Sequence, residues 1–230
     1  GVLCAMAGRW GEAVPLFREA ADASRQVGDE VGAATTAQNL GEMLVKQNRF
    51  DEAEGVLRDA ARVFQASGNQ TGANPEVLLA QVLMNRGALD DAHELLSKDI
   101  ATFRSTDQPL LALETAAVLT DCLLRMGEPQ EGLNLLAQAA EEAGEDAEYV
   151  RPVTAISRAR ALVALEDYDA AETEIAAGLA AAIENQLPYE EAMLRSVRME
   201  LAERAGRTPE PEDSDAVRAI FDQLEIQPPT

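Results

Sequence analysis

Apolar and small residues recur at three- and four-residue steps on both sides of position 50. The upstream set is Ala37, Leu40, Gly41 and Leu44, and the downstream set is Ala53, Val56, Leu57, Ala60 and Phe64. Mostly polar residues fill the positions between them, so each set predicts one amphipathic helix with a buried stripe. The short segment between the two sets predicts a turn, and the whole stretch predicts a helix-turn-helix unit.

The turn segment of this unit recurs along the chain. NRFDEA at 48–53 corresponds to GRWGEA at 8–13, GALDDA at 87–92, GEPQEG at 127–132 and EDYDAA at 166–171. The third residues of these segments, Trp10, Phe50, Leu89, Pro129 and Tyr168, are separated by 40, 39, 40 and 39 positions. A sixth, degenerate copy follows around Thr208. A period of this length predicts a helical repeat protein.

Helix-breaking residues mark the joints between copies. They are Gly28-Asp29, Gly68-Asn69, Thr106-Asp107, Gly144 and Leu187-Pro188. These joints divide one repeat domain, residues 1–230, into approximate repeats at 1–28, 29–68, 69–106, 107–144, 145–187 and 188–226. Residues 227–230 are expected to form a frayed tail, because consecutive prolines cannot continue a helix.

Particular residues are expected at the contact between the two helices of a copy. Gly41 and Ala53 are small enough to let the helices approach closely, and Phe50 is predicted to fill the gap beside the turn as a buried aromatic. In the last copy, Ser214 is the predicted N-cap of a short closing helix. The predicted buried stripe of that helix is Ala216, Val217, Ile220, Phe221 and Leu224.

The first copy begins in the middle of its first helix. When it is aligned on the second copy, only residues 2–7 of that helix are present, and Val2, Leu3 and Met6 would face solvent. Because the end of a stack of repeats needs a polar cap, we expect this sequence to be the C-terminal part of a longer protein. The alternative is a natural chain that starts with a frayed half-helix.

Composition supports an all-α fold. Hydrophobic residues make up 47% of the 230 residues, enough for a sizeable core, whereas aromatic residues make up only 4%, which favours close-packed helices over sheets. The formal charge is −22, from 41 acidic and 19 basic residues, and this disfavours nucleic acid and membrane surfaces as partners. A cationic or mixed-charge protein fits better, although an acidic surface also serves solubility.

Cysteine usage and hydropathy bear on localisation. Cys4 and Cys122 have neither the number nor the spacing of a disulfide framework, which favours a reducing compartment. No apolar run reaches the roughly 18 residues of a membrane span, and the N-terminus lacks a signal-peptide pattern. We therefore expect a cytoplasmic protein.

The sequence contains no motif that indicates catalysis. His93 is the only histidine, and the chain has no set of soft or imidazole ligands spaced for a metal site around it. Adjacent acidic residues such as Glu141 and Glu142 point about 100° apart on a helix and do not converge. G-x-S-x-G, P-loop and dinucleotide-binding patterns are absent. We expect neither enzymatic activity nor a cofactor nor a metal.

The order Leu40-Gly41, Leu44, Asn48, Phe50, Ala53, Leu57, Ala60 resembles the tetratricopeptide repeat, and the resemblance extends over essentially the whole chain. The period near 40 is similar to the longer variant in MalT-like regions of bacterial signal-transduction ATPases. The resemblance implies a right-handed α-α superhelix, or solenoid, of about six repeats with a truncated first repeat. The chain departs from the pattern at Gly132, which replaces an alanine, at Pro129, which replaces an aromatic, and at Arg158, which replaces a leucine.

The resemblance also implies a non-catalytic interaction scaffold whose first helices line a concave groove. The groove positions of the pattern give, as partner-binding residues, Gln38, Asn39, Glu42, Lys46, Gln81, Asn85, Asp121, Arg125 and Arg160, with Thr35, Asn74, Glu114 and Ser157 in the same rows. Amides with both charge signs suit hydrogen bonding to a peptide, from another protein or another domain of the parent chain. By resemblance the parent is a bacterial signalling or transcription regulator.

Two other functions stay open at this point. The groove could take a small effector that changes the superhelical pitch, for which an apolar pocket with a few convergent polar groups would be the supporting observation. Alternatively, the first helix or the convex second helices could form a homo-dimer, for which a large apolar contact would be the supporting observation.

Overall fold

A computed structural model of the protein describes residues 1–68 and 75–227. Within these ranges all regular secondary structure is helical. The α-helices are α1 (Val2–Met6), α2 (Trp10–Gln26), α3 (Glu30–Lys46), α4 (Phe50–Ser67), α5 (Pro75–Asn85), α6 (Leu89–Ser105), α7 (Pro109–Met126), α8 (Pro129–Ala143), α9 (Arg151–Ala164), α10 (Tyr168–Glu184), α11 (Pro188–Arg204) and α12 (Pro211–Leu224). A 3₁₀ helix at Gly144–Val150 leads into α9. The predicted all-α repeat fold is confirmed.

The turns recur with a regularity that explains the sequence period. Residues with left-handed φ lie 19 or 20 positions apart, from 8 to 127 and again from 166 to 225. They are Gly8, Gly28, Asn48, Gly68, Gly87, Asp107 and Gly127, then Glu166, Gln186, Gly206 and Glu225. After most of them the next amide donates to the carbonyl five residues back, as in the 2.8 Å bond from Arg49 N to Leu44 O. This is the Schellman ending of a helix, and two such endings make one repeat.

The contact between α3 and α4 depends on a missing side chain. A Cβ at Gly41 would lie 2.4 Å from Cδ2 of Leu57, so a larger residue there would overlap the leucine. Leu44, Ala53 and Leu57 are fully buried at the same contact. Burial of each leucine stabilises the fold by about 1.5–3 kcal/mol. The predicted close approach is confirmed at Gly41, and Ala53 is fully buried.

The chain divides into two compact units. Unit 1 comprises Gly1–Ala92 and Phe221–Thr230, of which residues up to 227 are described. In it each of the helices α1 to α4 packs against the next, and α3 also packs against α5. Unit 2 is His93–Ile220. In it α7, α9 and α11 pack in sequence, with α8 against α7 and α9, and α10 against α9 and α11.

At two positions of the repeat the packing differs from the expected one. Phe50 is only half-buried, so the prediction of a buried aromatic is wrong there, although Trp10 at the same position of the first copy is buried. Gly132 replaces alanine because Thr120 fills the space: a Cβ at Gly132 would lie 2.7 Å from Cγ2 of Thr120. The Thr120 hydroxyl also donates to the Gly132 carbonyl at 3.1 Å.

The last helix starts earlier than the sequence predicts. Since α12 begins at Pro211, Ser214 lies inside it, and the predicted N-cap is wrong. Of the predicted stripe only Leu224 is fully buried, and the other four residues are half-buried. The apolar pattern missed Asp213, which is 1% exposed and accepts hydrogen bonds from both Arg195 and Arg198 of α11. An ion-pair cluster therefore anchors the first turn of α12 on α11, where a serine cap was expected.

The two ends of the sequence are described to different extents. Val2, Leu3 and Met6 of α1 are exposed, as predicted. The predicted frayed tail lies outside the described residues except for Gln227, and the predicted joint Gly68-Asn69 lies partly outside them. The C-cap Gly68 of α4 is described and has left-handed φ.

Candidate functional site

The predicted groove residues of unit 1 lie on α3 and α5, which pack side by side. We call Gln38, Asn39, Glu42, Lys46, Gln81 and Asn85 the α3/α5 face. Asn85 is exposed and the other five are half-buried. Glu42 and Lys46, one helical turn apart, form an ion pair at 3.2 Å. The face therefore offers four amide side chains beside a charge pair that is already internally balanced.

Unit 2 shows how equivalent positions of neighbouring first helices relate. Asp121 of α7 and Arg160 of α9 are 39 residues apart, one repeat, and form an ion pair at 3.2 Å. Both side chains keep about a quarter of their surface exposed. The side chain at this repeat position in α7 therefore contacts the side chain at the same repeat position in α9. Glu42 and Gln81 occupy that position in α3 and α5, which also pack together.

Two acceptor atoms in these rows have hydrogen-bonding capacity to spare. Oε1 of Gln38 and Oδ1 of Asp121 are buried and have no hydrogen-bond partner among the described residues. Buried polar atoms are normally paired, because an unpaired one costs about 1–3 kcal/mol. Each of these atoms could accept a hydrogen bond from a ligand after a small side-chain movement.

Not every predicted groove residue has the expected environment. Ser157 is buried inside unit 2, so its assignment to the groove is wrong. The hydroxyl of Thr35 donates to the carbonyl of Val31, within its own helix. Arg125 is exposed near the end of α7. Asn74 lies outside the described residues.

Metal binding finds no support in the described part of the chain. No cluster of three or more potential metal ligands occurs there, and His93 is a half-buried residue of α6. Neither cysteine forms a disulfide, and Cys122 is buried whereas Cys4 is half-buried.

A cavity of about 450 Å³ lies elsewhere in unit 1, between α2, α3 and α4. Its floor is apolar, and its rim carries Arg18, Asp22, Arg25, Glu52 and Asp59. Arg18 binds Glu52 and Arg25 binds Asp22, both at 2.7 Å. Hydrogen bonds from Arg49 and from Arg18 lower the pKa of Glu52 against the opposing effect of burial. An effector would have to displace these ion pairs, so the cavity gives less support to a binding function than the α3/α5 face.

Sequence reasoning missed a second set of polar contacts in unit 1. The side chains of Gln47 and Asn48 donate hydrogen bonds to the main-chain carbonyls of Leu224 and Gln227, at 3.0 and 2.7 Å. The available signal was that Gln47 carries an amide where the other copies have Ala7, Arg86, Met126 and Leu165.

Comparison with known proteins agrees with this repeat geometry. Residues 1–66, which include α1 to α3 and nearly all of α4, match the model of the tetratricopeptide repeat family. No curated protein matches the chain. No helix among the described residues is long and apolar enough to cross a membrane. Tetratricopeptide repeats generally mediate protein–protein interaction and typically act as non-catalytic scaffolds. The chain is therefore a helical repeat protein whose residues 1–66 match the tetratricopeptide repeat.

Proposed function

We propose that this protein is a non-catalytic interaction module that binds an extended or helical peptide segment of a protein on its α3/α5 face. The observation that carries the proposal is the pairing of repeat positions. Glu42 of α3 has its counterpart in Gln81 of α5, and Lys46 has its counterpart in Asn85, on two helices that pack against each other. Two polar side chains on α3 therefore lie beside two polar side chains at the equivalent positions of α5.

Amide side chains suit a peptide ligand because each one both donates and accepts hydrogen bonds. Asn39, Gln81 and Asn85 can each bond the N–H and C=O groups of a main chain, and Gln38 has an acceptor to spare. Basic residues are few in the predicted rows: Lys46, Arg125 and Arg160. A clamp for a peptide carboxylate would need more of them, so internal main-chain recognition fits better.

The same proposal covers the biological setting. The module acts in the cytoplasm as part of a larger bacterial signalling or transcription regulator, and the bound segment comes from a partner protein or from another domain of that regulator. The period near 40 residues supports this setting through its similarity to the longer repeat variant. The charge of −22 supports a cationic or mixed-charge segment.

Selection from a displayed library of random peptides, followed by calorimetric titration, tests the binding. A triple variant with Asn39→Ala, Gln81→Ala and Asn85→Ala is expected to bind the selected peptide at least about tenfold more weakly than the native chain. Each amide removed costs about 0.5–1.5 kcal/mol of net hydrogen bonding, and about 1.4 kcal/mol corresponds to tenfold in the dissociation constant.

The matched control removes three amides from second helices: Gln26→Ala in α2, Gln65→Ala in α4 and Gln138→Ala in α8. All three side chains are exposed. This control should bind the peptide within about twofold of the native affinity, since solvent-exposed changes away from a site have small effects. A weaker affinity in the control and a native affinity in the triple variant would refute the proposed face.

A further inference from the structure

The segment Phe221–Gln227 belongs to unit 1, although it is far from the rest of that unit in sequence. We call it the C-terminal segment. Leu224 ends α12 and is 0% exposed, and Glu225 has left-handed φ, after which Ile226 and Gln227 leave the helix. A leucine and the non-helical chain that follows it therefore lie against the N-terminal repeats.

Gln47 and Asn48 recognise the main chain of this segment. Gln47 is 1% exposed, and its Nε2 donates to the carbonyl of Leu224 at 3.0 Å. Its own carbonyl accepts from the amide of Gln227 at 3.3 Å. Asn48, in the turn, donates from Nδ2 to the carbonyl of Gln227 at 2.7 Å. All three of these hydrogen bonds are therefore made to the main chain of the segment and not to its side chains.

A glycine in the turn before α2 and another in the first turn of α2 leave room for the segment. A Cβ on Gly11 would lie 2.0 Å from Oε1 of Glu225, and a Cβ on Gly8 would lie 2.6 Å from Nε2 of Gln223. Nε2 of Gln223 also approaches the Gly8 carbonyl at 3.5 Å. Any side chain at position 11 would have to displace Glu225.

The sequence is specialised at these positions relative to the other copies. Where the first copy has Gly11, the others have Asp51, Asp90, Gln130 and Asp169. Where the second copy has Gln47-Asn48, the fourth has Met126-Gly127. A repeat that only had to form its own turn would not need a buried amide at 47, because the other copies form equivalent turns without one.

We propose that Gly8, Gly11, Gln47 and Asn48 form a second peptide-binding site, distinct from the α3/α5 face, which the C-terminal segment of the same chain occupies as a displaceable ligand. The site takes a leucine at the end of a helix, followed by non-helical main chain. A protein segment of the same form competes for it. One buried leucine, three hydrogen bonds to the main chain and the contact of Gln223 with Gly8 hold the segment. A competitor at millimolar concentration can therefore displace it.

Amide hydrogen exchange at Gln227, followed by NMR in the full chain, tests the site. The double variant Gln47→Met and Asn48→Gly carries the residues of the fourth copy, and glycine accepts the left-handed turn. Exchange at Gln227 is expected to be at least about tenfold faster in this variant than in the native chain. The reason is that the variant lacks both side-chain amides that donate hydrogen bonds to the main chain of the segment. The control Gln186→Gly removes an exposed amide from another left-handed turn and should leave that rate unchanged.

A competing peptide tests displacement without any change to the protein. The capped peptide Phe-Asp-Gln-Leu-Glu-Ile-Gln, at a few millimolar, should accelerate exchange at Gln227 of the native chain by about fivefold. The same peptide with serine in place of leucine should have no effect. Equal exchange at Gln227 in the native chain and the double variant would overturn the site, and no acceleration by the leucine peptide would overturn displaceability. Neither result bears on the α3/α5 face.

Discussion

Leu57→Ala is expected to lower the free energy of unfolding by about 3–4 kcal/mol, as for a fully buried leucine that leaves a cavity. Leu57 is 0% exposed and covers Gly41 at the contact between α3 and α4. Gly41 has no side chain with which to fill the space, so relaxation around the cavity is limited. Urea denaturation followed by circular dichroism measures the loss.

Two other substitutions calibrate this effect. Phe50→Ala removes a larger side chain, but Phe50 is only half-buried, so we expect a smaller loss than for Leu57. Val27 is exposed at the end of α2, so Val27→Ala should change the free energy of unfolding very little. If Leu57→Ala cost less than about 1 kcal/mol, the close packing of α3 on α4 would be wrong.

Asp213→Asn is the second substitution with a large expected effect, about 3 kcal/mol. The carboxylate of Asp213 is buried, and Arg195 approaches it at 2.8 Å and Arg198 at 2.7 Å. Asparagine keeps the shape but removes the charge, so two guanidinium groups lose their shared partner. The free energy of unfolding, measured in urea at neutral pH, gives the loss.

The effect of this substitution should depend on pH. Burial raises the pKa of the Asp213 carboxyl, but hydrogen bonds from Arg198 and Arg195 outweigh it and hold the pKa below its ordinary value. A carboxyl with a lowered pKa in the folded state stabilises the fold above its unfolded pKa, about 4, and loses this contribution as the pH falls through the folded value. The stability difference between native and variant should therefore be constant near neutrality and shrink below about pH 4.

Asp215→Asn is the matched control for Asp213. Asp215 lies in the same helix and also pairs with an arginine, Arg218, at 3.5 Å, but both side chains are exposed. Exposed ion pairs contribute little, so this variant should unfold almost as the native chain does. Equal losses at both positions would show that Asp213 is not a buried anchor.

The sequence was sufficient to predict the repeat because its signals are local. Left-handed turns every 19 or 20 residues come from short motifs such as the one around Asn48, and the buried stripe of α3 follows from helical spacing. Asp213 could not be predicted in this way. Apolar spacing pointed to a helix starting at Ser214, whereas the start of α12 depends on arginines of another helix.

The candidate sites were predicted unevenly for a related reason. Transferred repeat positions identified Asp121 and Arg160, which the fold brings together, because both belong to the regular pattern. The contact of Gln47 with Leu224 joins residues 177 positions apart. No periodicity relates such residues, and only the folded chain shows why a buried amide occupies that turn.

Site-specific photocrosslinking tests the central claim, peptide binding on the α3/α5 face, most directly. A benzophenone amino acid replaces Asn85 in one protein and Gln26 in another, and each is irradiated with the library-selected peptide. Both positions are exposed, but only Asn85 belongs to the face. We predict a covalent peptide adduct at position 85 and none at position 26. An adduct at position 26 alone would contradict the account, because it would place the peptide on the second helices.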